Sequence, residues 1–159
     1  MSMLYIYDAD GYRAADSREV IREAHALISR SFRRGAPVLR RPVQLREFLK
    51  VRLGGLQHEV FGALYLNARH RLITVDDLFR GTIDGAVVYP REVVKSALKY
   101  GANHVIIYHN HPSGSPDPST ADGLITRRLH DALALVDITL LDHLIVAERV
   151  YSFAEAGLI

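Results

Sequence analysis

The stretch HVIIYHNHPSGSPDPSTAD, from His104 to Asp122, decides the fold. It opens with a run of β-branched and aromatic residues over 104–108, which predicts a short, buried strand that delivers His109 at its end. A loop rich in proline and glycine follows over 112–118, and a helix is predicted from Ser119 to about Leu135. The segment therefore predicts a strand, a loop and a helix, with two histidines at the first junction.

Elements on both sides of this segment predict a mixed α/β fold. Two β-rich runs are joined by Ala68-Arg69-His70 in a hairpin pattern. Helical spacing between Pro90 and Gly101 has proline and glycine at its two ends, as helix boundaries often do. Besides 104–108, the core has five further segments that are predicted to be extended: 59–67, 71–79, 81–88, 137–147 and 150–153. Strands and helices in this order are typical of a mixed sheet with helices packed on it.

The first 41 residues are predicted to form an N-terminal extension, a strand plus a helix, to a core domain at 42–159. Residues 1–12 look extended around Asp10-Gly11. The sequence Asp16-Ser17-Arg18-Glu19 resembles a capping box that opens a helix running to about Arg33. Pro42 is expected to open a second helix, which Gly54-Gly55 ends.

Composition narrows the class of protein. With 159 residues, 48% hydrophobic and 24% charged, the chain fits one globular domain with a sizeable core. No apolar run approaches eighteen residues, and the first residues lack the features of a signal peptide, so we expect a cytoplasmic protein without a membrane partner. The chain has no cysteine, so any metal site must use nitrogen and oxygen ligands.

Positive charge is concentrated in one stretch, although the net charge is only +2. Residues 30–52 hold a single acid, Glu47, and eight bases: Arg30, Arg33, Arg34, Arg40, Arg41, Arg46, Lys50 and Arg52. Such a cluster could contact nucleic acid. It could equally be a solvated basic face or a contact for an acidic partner, and no binding motif accompanies it.

A metal site is predicted from H-x-H, seven residues, and S-x-x-D. Two imidazoles and a carboxylate, from His109, His111 and Asp122, are a natural three-ligand set for a catalytic zinc that keeps one position open for water. Zinc would bring the pKa of that water to about 7. We expect the chain to turn at Asn110 and Pro112 so that the two imidazoles converge. Asp122 would lie in the first turn of a helix capped by Ser119.

Simpler explanations exist for each part of this pattern. Ser119–Asp122 is also an ordinary helix cap, and His-Asn-His alone could be a turn or an adventitious metal clamp. Asn110 could orient a ligand or tolerate an unusual backbone angle. His143, within a predicted strand, is expected to be a structural, hydrogen-bonded residue near the site, with a ligand role as the alternative. The combined spacing favours the metal site.

Hydrolysis would also need a group that accepts and returns a proton. Glu59 is the best candidate because it opens a strand of apolar residues and so should lie at a sheet end beside the core. Glu92 falls in the first turn of a helix, where a favourable dipole interaction explains it without catalysis. The hydroxyl of Ser119 could donate a hydrogen bond to a developing oxyanion.

The sequence resembles a known family. H-x-H-x7-S-x-x-D is the JAMM signature of the JAB/MPN metallopeptidase fold, and further stretches are similar to its bacterial RadC-like branch across about residues 43–159. These stretches are Glu59-Val60-Phe61, Gly81-Thr82-Ile83, Tyr89-Pro90-Arg91-Glu92, His109–Gly114 and Leu141–Val146. The resemblance implies a curved mixed sheet flanked by helices, with cytidine-deaminase-like layering. The Gly-containing hairpin of the helix-hairpin-helix region that longer members carry is not found in residues 1–41, so the chain resembles a shorter form.

The resemblance also implies a site and an activity. It implies zinc held by His109, His111 and Asp122, Glu59 as general acid/base, and Ser119 as the oxyanion-stabilising hydroxyl. The leading hypothesis is a zinc-dependent metallohydrolase, a peptidase or isopeptidase with a peptide or protein substrate. The alternative is a DNA-associated accessory protein, related to DNA repair or mobile elements, whose zinc site is structural or vestigial. A nuclease is a third possibility, which a single aspartate supports less well than a two-metal carboxylate site.

Overall fold

A five-stranded sheet is the centre of the computed structural model, which describes residues 4–31, 35, 42–81 and 87–159. The strands and helices, in chain order, are β1 (Tyr5–Asp8), β2 (Gly11–Ala14), α1 (Ser17–Ser31), α2 (Pro42–Leu53), β3 (Val60–Leu66), β4 (Leu72–Arg80), α3 (Pro90–Lys99), β5 (His104–Asn110), α4 (Thr120–Ala134), β6 (Thr139–Val146) and β7 (Val150–Ser152). The predicted mixed α/β fold is confirmed. No helix in the described ranges is both long and apolar enough to cross a membrane.

The sheet has the order β4-β3-β5-β6-β7 and mixes two kinds of pairing. β3 is antiparallel to β4 and β5, whereas β5 and β6 are parallel. Parallel neighbours need a crossover between them, and α4 supplies it. The carboxyl end of β5 is therefore followed by a loop and then by the start of α4, which brings the predicted ligands to one edge of the sheet.

Both faces of the sheet are covered. On one face, α2 buries Leu45, Phe48, Leu49 and Leu53 against the strands. On the other face lie α3 and α4, which bury Val93, Ala97, Leu129 and Leu133. Each fully buried leucine or phenylalanine contributes about 1.5–3 kcal/mol of transfer free energy. Because neither face meets water, β3 is apolar along its whole length rather than alternating.

The expected turn at Asn110 is wrong. β5 continues through Asn110, and the backbone N–H of His111 still donates to the Val146 carbonyl at 3.0 Å. Residues two apart on an extended chain project to the same side of a sheet. His109 and His111 therefore converge because of strand alternation, without a turn between them.

The N-terminal segment contains the predicted helix start. Asp16 Oδ1 accepts from the Glu19 N–H at 2.8 Å, and Glu19 Oε2 accepts from the Asp16 N–H at 3.0 Å, which confirms the capping box. β1 and β2 form a separate two-stranded hairpin before this helix. The predicted helix end near Arg33 and most of the predicted 81–88 strand lie outside the described residues.

Gly62 on β3 provides a test of the packing between β3 and β5. A Cβ at this position would overlap the Tyr108 ring and approach the Asp76 carbonyl oxygen to 2.6 Å. We predict that Gly62→Ala lowers the free energy of unfolding by about 1–3 kcal/mol, the usual cost of overpacking. Urea denaturation measures this change.

Gly123 on α4 is the matched control. A Cβ there would meet only the tip of Arg127, at 3.7 Å. Gly123→Ala should raise stability by about 0.5–1 kcal/mol, because alanine loses less conformational entropy in a helix. Equal effects of the two substitutions would contradict the packing described here.

Candidate metal centre

Three side chains from β5, the following loop and α4 meet at one point. His109 Nε2 lies 2.9 Å from His111 Nε2 and 3.1 Å from Asp122 Oδ1. His111 Nε2 lies 3.4 Å from Asp122 Oδ2. His109 is almost fully buried, and Asp122 is about nine-tenths buried. Together these residues form the one group of three or more potential metal ligands found among the described residues.

The orientation of His109 follows from a chain of hydrogen bonds behind it. The Thr126 hydroxyl donates to the Asp122 carbonyl at 2.5 Å, so its oxygen accepts from His143 Nδ1 at 2.6 Å. His143 Nε2 must then accept from His109 Nδ1, at 2.8 Å. Nε2 of His109, the atom that faces His111 and Asp122, is therefore the ring nitrogen available to a metal ion or a proton.

Burial keeps His143 neutral in this chain. The ring is fully buried between strands and stacks on Phe153 with ring centroids 4.8 Å apart. Burial lowers the pKa of His143 well below its ordinary value, and the neighbouring His109 acts in the same direction. A neutral imidazole with its proton on Nδ1 is the form that accepts from His109.

His111 is oriented by the loop. Its Nδ1 lies 2.8 Å from the carbonyl oxygen of Ser115, which can only accept, so Nδ1 donates to it and Nε2 is available to a metal ion or a proton. The loop turns back through Gly114, whose φ of 85° favours glycine. The Gly114 N–H donates to the His111 carbonyl at 3.0 Å. The turn therefore brings the Ser115 carbonyl against the His111 ring.

Asp122 is held by the cap of its own helix. The Ser119 N–H and hydroxyl donate to Asp122 Oδ2 at 2.7 and 2.6 Å, and the Asp122 N–H donates back to Ser119 Oγ at 3.1 Å. Burial raises the pKa of Asp122, but hydrogen bonds from His109 and His111 outweigh it and hold that pKa well below its usual range. The carboxylate stays ionised, and Oδ1 is its less engaged oxygen.

The donor set fits a divalent metal ion. Two imidazole nitrogens and one carboxylate converge with separations of 2.9–3.4 Å. Ligand atoms around a tetrahedral ion with bonds of about 2.0–2.1 Å lie about 3.3 Å apart, close to these values. A proton competes for the same place, since hydrogen bonding to Asp122 raises the pKa of His111, against the effect of burial.

Glu59 shares a cleft with these ligands. It immediately precedes β3 and lines an open cleft of about 700 Å³ together with His111, Ser119 and Asp122. Asn110 fixes the backbone on both sides of it. Its side chain accepts from the Val60 N–H at 2.8 Å and donates to the His58 carbonyl at 3.1 Å. Asn110 therefore fixes the backbone around Glu59, and its own φ is not positive.

Other sequence-predicted residues lie elsewhere. Glu92 is on α3, pairs with Arg91 and Lys95 at the surface, and does not line the cleft. Sequence reasoning missed Thr126. Its signal was helical spacing, since a residue four positions after Asp122 shares its face of α4.

The basic stretch makes internal contacts where the structure describes it. Arg46 pairs with Glu155, Lys50 donates to the Glu148 carbonyl at 2.7 Å, and Arg52 pairs with Asp77 at 2.9 Å. The side chains of Arg30, Arg33, Arg34, Arg40 and Arg41 lie outside the described part of the chain. The three described cations are therefore already engaged within the molecule.

The fold and the site together define a class of protein: a mixed α/β domain with a His-His-Asp group at the junction of a central strand and its crossover helix. The sequence profile of the RadC-like JAB domain matches residues 39–158. The chain belongs to the RadC-like JAB family, as its sequence motifs predicted.

Sequence similarity to known proteins covers most of the chain. A UPF0758 protein of Vibrio cholerae is 50% identical over 145 residues, which cover 91% of this chain and 90% of the relative. A UPF0758 protein of Thioalkalivibrio sulfidiphilus is also 50% identical over 145 residues, covering 91% of this chain but 65% of the relative. One from Marinobacter nauticus is 54% identical over 136 residues, 85% of this chain and 60% of the relative. The chain thus spans about two thirds or less of several curated relatives it matches.

Thr126 allows a test of the hydrogen-bond chain behind His109. We predict that Thr126→Val lowers the affinity for Zn²⁺ about 10- to 100-fold, because the outer partners of metal-binding histidines fix their orientation. Thr126→Ser retains the hydroxyl and should bind Zn²⁺ with nearly unchanged affinity. Competition against a chromophoric chelator measures the affinities.

Two further measurements complete this test. The unsubstituted chain should bind about one Zn²⁺, and His109→Ala or Asp122→Ala should abolish that binding. Equal affinities of the valine and serine variants at position 126 would show that the hydroxyl does not orient the ligand.

Proposed function

We propose that this protein is a zinc-dependent hydrolase of amide bonds, a peptidase or isopeptidase. The observation that carries this proposal is the convergence of His109 Nε2, His111 Nε2 and Asp122, since His111 and Asp122 line an open cleft together with Glu59. Three nitrogen and oxygen ligands from protein, with access from solvent, are the pattern of a catalytic rather than a structural zinc.

Zinc, when bound by these three residues, supplies Lewis acidity that acidifies water and polarises a carbonyl group. Glu59 accepts a proton from the attacking water as the new C–O bond forms. It then returns that proton to the amine as the C–N bond breaks. Glu59 is suited to this role because it lines the same cleft as His111 and Asp122 and is not part of the candidate ligand group. Asn110 keeps it there through the backbone of His58 and Val60.

Ser119 has two possible partners for its hydroxyl proton. In the structure the proton goes to Asp122 Oδ2, at 2.6 Å. Rotation about the Cβ–Oγ bond would direct it into the cleft instead, towards a developing oxyanion, while Oγ still accepts from the Asp122 N–H. The Ser119 N–H still holds Oδ2 after that rotation, at 2.7 Å. The carboxylate therefore keeps its position while the hydroxyl serves the substrate.

An amide suits this site better than a phosphodiester. Asp122 is the single carboxylate of the ligand group, whereas two-metal phosphodiesterases use several carboxylates. The DNA-associated alternative rests on the basic stretch, and it stays a prediction. Its three described cations pair within the chain.

Glu59 provides the main test of the proposed function. Glu59→Gln has nearly the same shape but cannot accept a proton, so we predict full zinc content and a loss of turnover of about 10²-fold or more. Elemental analysis and peptide cleavage, followed by mass spectrometry, measure the two quantities. Comparable turnover would remove Glu59 from the mechanism, and loss of zinc would make it a ligand.

Ser119 separates capping from catalysis. We predict that Ser119→Ala costs about 1 kcal/mol of stability through loss of the cap and lowers kcat about 10²- to 10³-fold through loss of the oxyanion donor. Ser119→Thr retains the hydroxyl and is the control. Both variants are compared at full zinc loading. If zinc-loaded Ser119→Ala turns over normally, the hydroxyl is a helix cap and nothing more.

A further inference from the structure

A second face of α4 lines the cleft beside the metal ligands. Thr126 is buried and Asp122 belongs to the ligand group, while Ala121, Leu124, Ile125 and Arg128 line the cleft next to them. The cleft-lining positions have the spacing of one helix stripe. The stripe begins beside the ligand group with apolar side chains and ends in a single cation.

The apolar part of this stripe is accessible. Leu124 is 51% exposed, and Val87, which also lines the cleft, is 69% exposed. An apolar side chain placed between them would leave water together with both residues, which is favourable. The cleft therefore suits a polypeptide segment that carries an apolar residue near the bond to be cleaved.

Arg128 is the unpaired cation of this cleft. Among the described residues, no ion pair or hydrogen bond involves its guanidinium, in contrast to Arg46 and Arg52 on α2. Its acidic neighbour one turn along, Asp131, contacts His130 at 3.1 Å. The planar guanidinium matches the two oxygens of a carboxylate. The Arg128 charge at the end of the apolar stripe therefore favours an acidic group on the bound polypeptide.

The helix sets the distance of that acidic group from the ligand group. Arg128 follows Asp122 by six residues, a rise of about 9 Å along α4. A peptide that lies extended along α4 advances about 3.3–3.4 Å per residue, so the 9 Å between these two positions corresponds to about three peptide residues. We propose, on the basis of the hydrolase function above, that the substrate is a polypeptide with an acidic residue about three positions from the scissile bond, bound by Arg128.

Peptide binding tests this assignment without relying on turnover. The protein is the full chain with Glu59→Gln, loaded with zinc. The probes are fluorescein-labelled ten-residue peptides of alanine and leucine that carry one glutamate at each position in turn, each matched by its glutamine counterpart. Fluorescence anisotropy gives the dissociation constants. We expect one or two adjacent positions at which glutamate binds about three- to tenfold more tightly than glutamine, with a preference that shrinks in salt.

Substitutions on α4 identify the residue responsible. Arg128→Gln should abolish the glutamate preference, and Arg128→Glu should reverse it in favour of a lysine peptide. Arg127→Gln removes the same charge from the adjacent, exposed position, which does not line the cleft, and should retain the preference. Zinc content and thermal unfolding verify that each variant is folded and loaded.

The possible failures are distinguishable. The assignment is overturned if no peptide binds, if glutamate is not preferred, or if Arg128→Gln and Arg127→Gln have equal effects. An Arg128-dependent preference without cleavage of any peptide by the chain with Glu59 intact supports the subsite and removes the hydrolase function. Cleavage without an Arg128-dependent preference does the reverse.

Discussion

The hydrogen bond between His109 Nδ1 and His143 Nε2 is the interaction on which the site depends. It links two parallel strands, and Thr126 extends it to the helix that connects them. One proton position at Thr126 thereby fixes the proton positions of both imidazoles. The same series of hydrogen bonds ends on the backbone carbonyl of Asp122. Covalent and hydrogen bonds therefore fix the positions of His109 and Asp122 relative to each other. The geometry of the candidate ligands consequently depends on how β5, β6 and α4 pack against one another.

The sequence predicted the elements that local chemistry controls. The apolar run before His109 predicted β5, and the spacing of proline, serine and aspartate predicted the start of α4. The candidate ligand set was predicted from residue types, because their combined spacing favours a metal site even though each part alone has a simpler explanation. In these cases the signal lies within about fifteen residues of the chain, where propensity and capping operate.

Other features could not be read from the sequence because they depend on the pairing of distant strands. Asn110 contacts Val60 only because β3 and β5 are neighbours with a particular register. Thr126 contacts His143 only because α4 packs on β6 with these two residues next to each other. The expected turn at Asn110 was wrong for a local reason. Strand alternation already places residues two apart on one side, so no reversal of the chain was needed.

The residues of the candidate site come from two separate segments of the chain, which can change independently among related proteins. The three candidate ligands lie within one stretch of fourteen residues, 109–122, whereas Glu59 lies fifty residues before His109, immediately before β3. The candidate ligands depend on one continuous stretch, whereas the position of Glu59 depends on β3 keeping its register against Asn110. A slip of one residue would turn the side chains of β3 to the opposite face. A homologue that kept the His-His-Asp stretch but lost that register would retain the candidate ligand group without Glu59 beside it.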